Sequence, residues 1–383
     1  MRNIGPLFII FFLILCAGCE AKDVNDTSIP IGIGFDWEED KFKISTQLAK
    51  PLTAEQGGHS GEEESFIVVS ETGETIIMAS RNLLLTLPRV PLWTYASVIV
   101  LGENLVTKDA ALYSDVLARN PNIRNNAMVV VCKDITPEDL FQVKTPLEPL
   151  PALGITKILN NQEKQLGIYV PISLGDFLQK AATPGIELII PMVTVIKNGD
   201  TETLKVDGSA IFADRKMVGS FNEKESRGYR WLNNKPIQGG VISIPDPQDP
   251  QKLIGIEVIR STAKVKPIID KKGVISVNIK IEAESNFYEQ HSTNDLLNLK
   301  GFTAIEKLAA QEIEKEIALA IIRAQELNSD IFGWGKLLNH SYPEVWREIE
   351  ADWNDYFPHI KTNIDVKFRL RRSYLTDESF KFR

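Results

Sequence analysis

The first nineteen residues restrict where the rest of the chain can fold. Residues 6–15 are almost wholly apolar, and they follow the short, positively charged start Met1-Arg2-Asn3. This apolar run has ten residues, whereas a helix that crosses the hydrocarbon core of a bilayer needs about 20. A charged start and a short apolar run are typical of a secretory signal peptide. The remaining chain is therefore predicted to be a globular body outside a membrane.

The segment that closes this apolar run is Leu15-Cys16-Ala17-Gly18-Cys19. Small residues directly before a cysteine resemble the bacterial lipobox, in which the cysteine sulfur receives a diacylglyceryl group and becomes the first residue of the mature chain. Cys16 stands where this motif usually has Leu. We predict a signal peptide at residues 1–18, a lipid anchor at Cys19 and a polar, lipidated spacer at residues 19–28. A plain secretory signal with an incidental cysteine is the alternative.

Composition excludes several classes of protein. The 383 residues carry a net charge of −8, and 43% of them are hydrophobic and 25% charged. These proportions are typical of soluble globular domains, which excludes a wholly disordered chain and one with many membrane spans. Nucleic-acid binding normally requires a basic face, so no nucleic-acid partner is predicted. After residue 15 no apolar run reaches 18 residues, and the nearest, residues 186–196, is interrupted by Pro191 and predicts a buried strand.

Strand-like and helix-like patterns alternate along the first half of the chain. Residues 29–35 and 42–48 predict a β-hairpin, and residues 95–101 and 128–131 predict strands on either side of a helix. Residues 134–170 contain a Pro-rich stretch and show little periodicity. This alternation predicts mixed α/β layers around a core.

The second half repeats neither this order nor its spacing. Residues 275–281 and 360–370 alternate apolar and polar side chains, which predicts strands with one dry face. Between them, an apolar stripe from Ile305 to Ala324 predicts a long helix. The predicted fold class is α+β, with three small domains that each have a mainly antiparallel or mixed sheet and packed helices. Their predicted bounds are residues 29–200 for the N-terminal domain, 201–268 for the middle domain and 269–383 for the C-terminal domain.

No residue pattern predicts catalysis or metal binding. The four histidines lack partners at metal-ligand spacing, and HExxH, GxSxG and GxxxxGK[ST] are absent. Gly32 and Gly34 precede a predicted hairpin instead of the helix that a phosphate-binding loop requires. Cys132 lies in a predicted buried strand, where a lone cysteine usually packs as a small hydrophobe. We predict a protein that is not an enzyme, with no catalytic residue, no metal and no cofactor, and the sequence names no ligand-binding residue.

Two pairs of residues allow both a structural and a functional interpretation. Arg119 and Arg124 bracket an Asn-Pro turn after the second predicted helix. They are either partners in structural salt bridges or part of a surface that faces a partner protein, and the sequence favours neither. Trp346 and Trp353 lie on one helical stripe, which favours a buried helix face over a ligand site.

Several segments together resemble the Ger(x)C lipoprotein family, the C subunits of nutrient germinant receptors in endospore-forming bacteria. The resemblance covers almost the whole chain, and it departs from many members at Glu20-Ala21 and at Pro91-Leu92-Trp93. Its most specific part is the run Gly208-Ser-Ala-Ile-Phe, Arg215-Lys-Met-Val-Gly219, Glu225-Ser and Gly228. It also includes Cys19, Val24-Asn-Asp26, Ile31-Gly-Ile-Gly-Phe-Asp36, the segments 44–51 and 96–103, Leu117-Ala-Arg119, Ile123-Arg124, Pro343-Glu-Val-Trp346, Trp353 and Phe357.

The resemblance implies a function that the residues alone do not. It implies a non-enzymatic receptor subunit with three mixed α/β domains, which acts with membrane-embedded A and B subunits. It also implies a location on the outer face of the inner spore membrane or cell membrane, attached through the lipid on Cys19. The germinant, any contact of this subunit with it, the surface that meets the partners and the stoichiometry are not readable from the sequence.

Two other classes of lipid-anchored protein are alternatives. A solute-binding lipoprotein of a transporter shares the lipobox and the size, but it needs two similar α/β lobes around a cleft. The C-terminal third of this chain has a different pattern from the first, which counts against that class. A tethered hydrolase needs a nucleophile or a metal set that the sequence does not show.

Overall fold

The structure is a computed structural model, and it describes residues 24–50, 65–233, 237 and 239–373. Its strands are β1 Thr27–Glu38, β2 Lys41–Ala49, β3 Phe66–Gly73, β4 Val90–Pro91, β5 Val98–Leu101, β6 Met128–Cys132, β7 Ile172–Ser173, β8 Ile189–Asn198, β9 Thr201–Ala213, β10 Lys216–Phe221, β11 Val241–Pro245, β12 Leu253–Ile269, β13 Ile275–Gln290 and β14 Lys361–Ser373. Its helices are α1 Ile76–Asn82, α2 Glu103–Val106, α3 Ala111–Arg119, α4 Pro137–Gln142, α5 Pro151–Gln165, α6 Leu174–Ala181, α7 Glu223–Leu232, α8 Leu299–Glu326, α9 Trp334–Ser341, α10 Pro343–Ile349 and α11 Trp353–Tyr356.

The first sheet has the strand order β10-β9-β8-β6-β5-β1-β2-β3, and β4 and β7 pair beside it with β1 and β6. The four central strands β8, β6, β5 and β1 run parallel, whereas the outer neighbours are antiparallel. Central parallel strands are covered on both faces, which explains why β5 and β6 are uninterrupted apolar runs.

Helices cover both faces of this sheet. Along β6, Val129 and Val131 face one hydrophobic cluster, which α1, α3 and α6 complete. Val130 and Cys132 face the opposite cluster, which α4 and α5 complete. Both α4 and α5 begin at a proline in the first helical turn, a position where its missing N–H costs nothing. The Pro-rich stretch at residues 134–170 therefore starts helices, although its periodicity is weak.

The second sheet has the order β11-β12-β13-β14. The β11–β12 and β12–β13 pairs are antiparallel, whereas β13 and β14 run parallel. The chain between β13 and β14 crosses one face of this sheet through α8. Ile279 and Ile281 of β13 pack in the same buried cluster as Ile313 and Ile317 of α8. The opposite face of the sheet is exposed.

The predicted α+β class is confirmed, because helices and two mixed sheets share the described part of the chain. Neither predicted domain boundary separates the first sheet from the second. The 200/201 boundary falls in the turn between β8 and β9, and the 268/269 boundary falls at the end of β12, before its hairpin with β13. The three-domain division stays a prediction, and residues 201–268 contribute strands to both sheets.

Candidate interaction surface

The predicted lipid anchor, Cys19, lies outside the described residues, as do the whole predicted signal peptide and the first part of the spacer. The described chain begins at Val24 in a short 3-10 turn and enters β1 at Thr27. Thr27 lies opposite Val90 in the parallel pairing of β1 with β4. The beginning of the described chain is therefore fixed beside β4.

This pairing continues for one further residue. The backbone N–H of Leu92 donates a hydrogen bond to the carbonyl of Ser28 over 3.0 Å. The Ser28 hydroxyl in turn donates to the carbonyl of Arg89, at 3.5 Å. Ser28 therefore binds the residue just before β4 and the residue just after it.

The same segment forms one wall of a groove of about 430 Å³, here called the N-terminal groove. Its lining side chains come from residues 77–84, from residues 90–94 and from residues 116–122 at the end of α3. The groove lies on the face of the first sheet that α1 and α3 cover.

Apolar side chains surround the N-terminal groove. In α1, Ile76 and Ala79 pack into the core, whereas Ile77 and Met78 point outward and are about half exposed. Leu84 and Val90 line the groove and are exposed as well, and the adjacent Leu85 is 83% exposed. Scattered single apolar residues are ordinary on a protein surface, but several of them around one groove make this surface a candidate interaction site.

The charge of this surface is positive, in contrast to that of the whole chain. Residues 75–102 contain Arg81 and Arg89 and no aspartate or glutamate. Arg119 also lines the groove, and its Nε donates to both carboxylate oxygens of Asp115, at 2.9 and 3.0 Å. Arg124 is exposed and forms no ion pair with a described residue. Of the two interpretations of these arginines, Arg119 thus fits both, as a helix salt bridge and as part of a surface.

A second charged surface lies on the exposed face of the second sheet. Lys264 on β12 is directly opposite Lys280 on β13, although like charges at opposed positions destabilise an antiparallel pair. These two lysines, Lys266 and Lys367 line a hollow of about 440 Å³ together with Glu282 and Asp365, and Asp365 lies opposite Lys280 in the pairing of β13 with β14. We call the four lysines the basic sheet face. The sequence alone does not reveal this surface, because the pairing of β12 with β13 is what brings the charges together.

The described part of the chain contains no group of acidic, cysteine or histidine residues that could hold a metal ion. Cys132 is completely buried, and its Sγ lies 3.5 Å from the carbonyl oxygen of Leu101. Burial raises the pKa of this thiol, so the reactive thiolate is disfavoured. Of the histidines, His291, His340 and His359 are described and belong to no such group, while His59 lies outside the described residues.

Two carboxyl groups with raised pKa values, the buried Asp330 and the partly buried Glu187, were not found from the sequence. Asp330 accepts hydrogen bonds from the backbone N–H groups of Trp334 and Gly335, at 2.9 and 2.8 Å, and from the Trp353 indole at 3.1 Å. Burial raises the pKa of Asp330 to about 6. Burial also raises the pKa of Glu187 to about 7, and the nearby charges of Asp214 and Asp330 add to this. Asp330 thus organises the turn before α9, which is a structural role.

Both tryptophans of the predicted stripe are buried, which confirms the structural interpretation. Trp346 and Trp353 are 2% and 6% exposed and contact each other edge to face, with ring centroids 5.2 Å apart.

Across the described ranges no helix is long and apolar enough to cross a membrane.

Comparison with known families finds two matches that together span most of the chain. Residues 20–195 match the family described as "Spore germination protein N-terminal domain". Residues 207–374 match the family described as "Spore germination B3/ GerAC like, C-terminal". The second match includes the run from Gly208 to Gly228 that carried the resemblance in the sequence.

Individual proteins are similar over nearly their full length. Spore germination protein KC of Bacillus subtilis (strain 168) is 25% identical, and the alignment covers 98% of this chain and 97% of that protein. Spore germination protein GerQC of Bacillus cereus is 24% identical, with 97% and 99% covered. The crystal structure of the GerBC protein superposes with a TM-score of 0.57 over 88% of this chain and 96% of that one, at 18% identity. This last likeness shows that the fold is shared.

Proposed function

Because the chain belongs to the family of GerAC-like spore germination proteins, we propose that it is the lipoprotein subunit of a nutrient germinant receptor. In this proposal it is required for germination in response to small nutrients. The relatives are named as spore germination proteins, and this kinship gives the chain a role related to germination. The observation that carries the proposal is the pair of family matches, which leaves few residues between 20 and 374 unassigned.

The proposed attachment to the membrane is a diacylglyceryl lipid on Cys19, after removal of residues 1–18. The lipobox-like residues before Cys19 support it. The body would then lie on the outer face of the inner spore membrane or of the cell membrane. A diacylglyceryl group carries two acyl chains, and two chains are sufficient for stable anchoring. Contacts with integral A and B subunits add to this attachment in this proposal, as the resemblance implies.

A solute-binding lipoprotein of a transporter remains the alternative function. Such a protein needs two similar lobes that close around a ligand. Here the first sheet has four parallel central strands, whereas the second has four strands of which only β13 and β14 run parallel. This difference favours the germination receptor. Tight binding of a small solute by the purified chain alone, measured by calorimetry, would favour the transporter instead.

The anchor can be tested by growth with labelled palmitate followed by membrane fractionation. Cys19→Ala is expected to lose the label and to leave the membrane fraction, while the body stays folded. The matched control is Cys16→Leu, which places the usual lipobox residue at that position and should keep both label and membrane retention. Normal labelling and retention of the Cys19→Ala variant would contradict the proposed anchor.

A further inference from the structure

We infer that the N-terminal groove lies against the bilayer surface, with Arg81 and Arg89 at anionic lipid headgroups and Leu85 at the boundary of the acyl region. The inference rests on the proposed lipid anchor at Cys19 and adds to it an orientation of the body. The anchor alone specifies where the chain is attached, but not which face of the body touches the lipid.

The position of the chain start limits how far this face can be from the membrane. Five residues lead from Cys19 to Val24, and a fully extended chain of that length spans at most about 18 Å. Thr27 follows directly and is paired with Val90 in the groove wall. A lipid on Cys19 therefore holds this end of the first sheet, and β4 with it, close to the headgroups.

The charge of the groove suits an anionic lipid surface. Its lining contains Arg81 and Arg119 and no acidic residue, while the chain as a whole has a net charge of −8. The Arg119 charge is offset by its ion pair with Asp115, which leaves Arg81 in the lining and the exposed Arg89 next to the groove wall. An acidic body is repelled by anionic headgroups, so it approaches them best through a face where positive charges outnumber carboxylates.

The apolar and aromatic side chains suit the same environment. Leu84, Leu85 and Val90 are exposed beside the arginines, an arrangement that lets leucines enter the headgroup boundary while guanidinium groups stay with the phosphates. Tyr95 is also 52% exposed, and tyrosine is enriched at membrane–water interfaces because its ring is apolar and its hydroxyl polar.

The test uses the mature, lipidated full chain in vesicles of phosphatidylglycerol and phosphatidylcholine. Single cysteines for an environment-sensitive dye are placed at Leu85→Cys and, as the matched control, at Leu299→Cys on α8. The two leucines are 83% and 84% exposed, so both variants should fold and label equally. Cys132 is completely buried and does not compete for the dye.

The expected result is a blue-shifted emission at position 85, quenched by lipid-borne quenchers, and water-like emission at position 299. The double variant Arg81→Gln/Arg89→Gln should stay on the vesicles through its lipid. It should lower the ratio of docked to undocked chain at position 85 by about fivefold per arginine. High salt should weaken docking in the unchanged protein in the same direction.

Water-like emission at both positions, with the chain still on the vesicles, would overturn the inference and leave the anchor standing. Loss of the chain from the vesicles would overturn the anchor and the inference with it. Shielding of position 85 only in native membranes that contain the other receptor subunits would also overturn it, in favour of a protein partner on the groove. Shielding in lipid vesicles alone supports the bilayer.

Discussion

The Nε of Arg227 lies 3.0 Å from both carboxylate oxygens of Glu316, and this ion pair joins α7 to the long helix α8. The Glu316 side chain is only 1% exposed, although it lies among the apolar residues of the α8 stripe. It also accepts a hydrogen bond from the Trp231 indole at 3.0 Å. Burial alone would lower the pKa of Arg227, but its hydrogen bonds and charge interaction with Glu316 raise it. A buried charge is thus fully paired where the two helices cross.

Replacing this carboxylate should destabilise the protein strongly. Glu316→Ala leaves the Arg227 guanidinium and the Trp231 indole without their partner, and breaking a buried ion pair typically costs about 3–5 kcal/mol. The free energy of unfolding is measured by urea titration with tryptophan fluorescence. The control is Arg347→Ala, which removes an exposed pair with Glu344 and should cost at most about 1 kcal/mol. An equal loss in the free energy of unfolding for the two variants would show that the buried Glu316 pair stabilises the protein no more than an exposed pair.

The same helix crossing explains one residue of the family-like run. A Cβ at Gly228 would lie 2.1 Å from the backbone oxygen of Glu316 and 2.8 Å from the Cβ of Ala320. Gly228→Ala must therefore push the helices apart, and overpacking of this kind costs about 1–3 kcal/mol. Gly175→Ala is the matched helical control, since its nearest neighbour is 3.4 Å away. The midpoint of thermal unfolding should fall for Gly228→Ala and stay unchanged for Gly175→Ala. An unchanged midpoint for Gly228→Ala would show that the two helices can move apart without loss of stability.

The raised pKa values of Asp330 and Glu187 predict that stability falls between about pH 4 and about pH 7. Glu187 and Asp330 have pKa values of about 7 and about 6 in the folded state, against 4.5 and 3.8 as ordinary values. A group with a raised pKa binds its proton more tightly when folded, so its contribution is fully present below the unfolded pKa. It is lost as the pH rises through the folded pKa. The free energy of unfolding should therefore decrease over this range.

Two substitutions separate the contribution of Glu187. Glu187→Gln cannot ionise and should reduce the pH dependence, with a gain of roughly 1–3 kcal/mol at pH 8 relative to the unchanged protein. Asp214→Asn keeps the left-handed backbone that asparagine tolerates and removes a charge that raises the pKa of Glu187. It should shift the loss of stability to lower pH. Identical pH profiles for all three proteins, measured by calorimetry, would contradict this assignment.

The opposed lysines of the basic sheet face predict a stabilising substitution. Lys264→Glu places a carboxylate opposite Lys280 and replaces repulsion by attraction, which should stabilise the pair by about 0.2–1 kcal/mol. High salt should shrink this gain, because it screens exposed charges. Lys271→Glu, in the turn between β12 and β13, is the control and should change stability little. A destabilised Lys264→Glu variant would show that the two side chains do not repel each other as placed.

Local sequence patterns predicted the strands and helices in which the spacing of apolar residues alone decides which face is buried. The hairpin of β1 and β2, the alternation in β13 and β14 and the stripe of α8 all follow from apolar periodicity. In β14, Phe368 and Leu370 are buried and Lys367 and Arg369 exposed, as the alternation predicts. The α+β class followed from these elements.

Long-range relationships were beyond such patterns. The parallel pairing of β13 with β14 joins residues about 85 positions apart in sequence, such as Ser276 and Lys361, and no local signal encodes it. The same holds for Asp330, which accepts a hydrogen bond from the indole of Trp353 in α11. It also holds for the N-terminal groove, because three separate segments of the chain form it. The family-like run is explained in part by the structure: Gly208 has a φ of +93°, and Ser209 hydrogen-bonds Ser226 over 3.0 Å. Gly208, Ser209, Ser226 and Gly228 therefore have structural roles in this run.

Germination of spores that lack this chain, scored nutrient by nutrient, tests the central claim most directly. We expect loss of the response to one class of small nutrient, with a non-nutrient trigger still effective. The response should return when the unchanged chain is supplied and remain weak with Cys19→Ala. Normal germination with every nutrient, together with a defect in the uptake of one solute, would contradict the receptor and support a transporter lipoprotein.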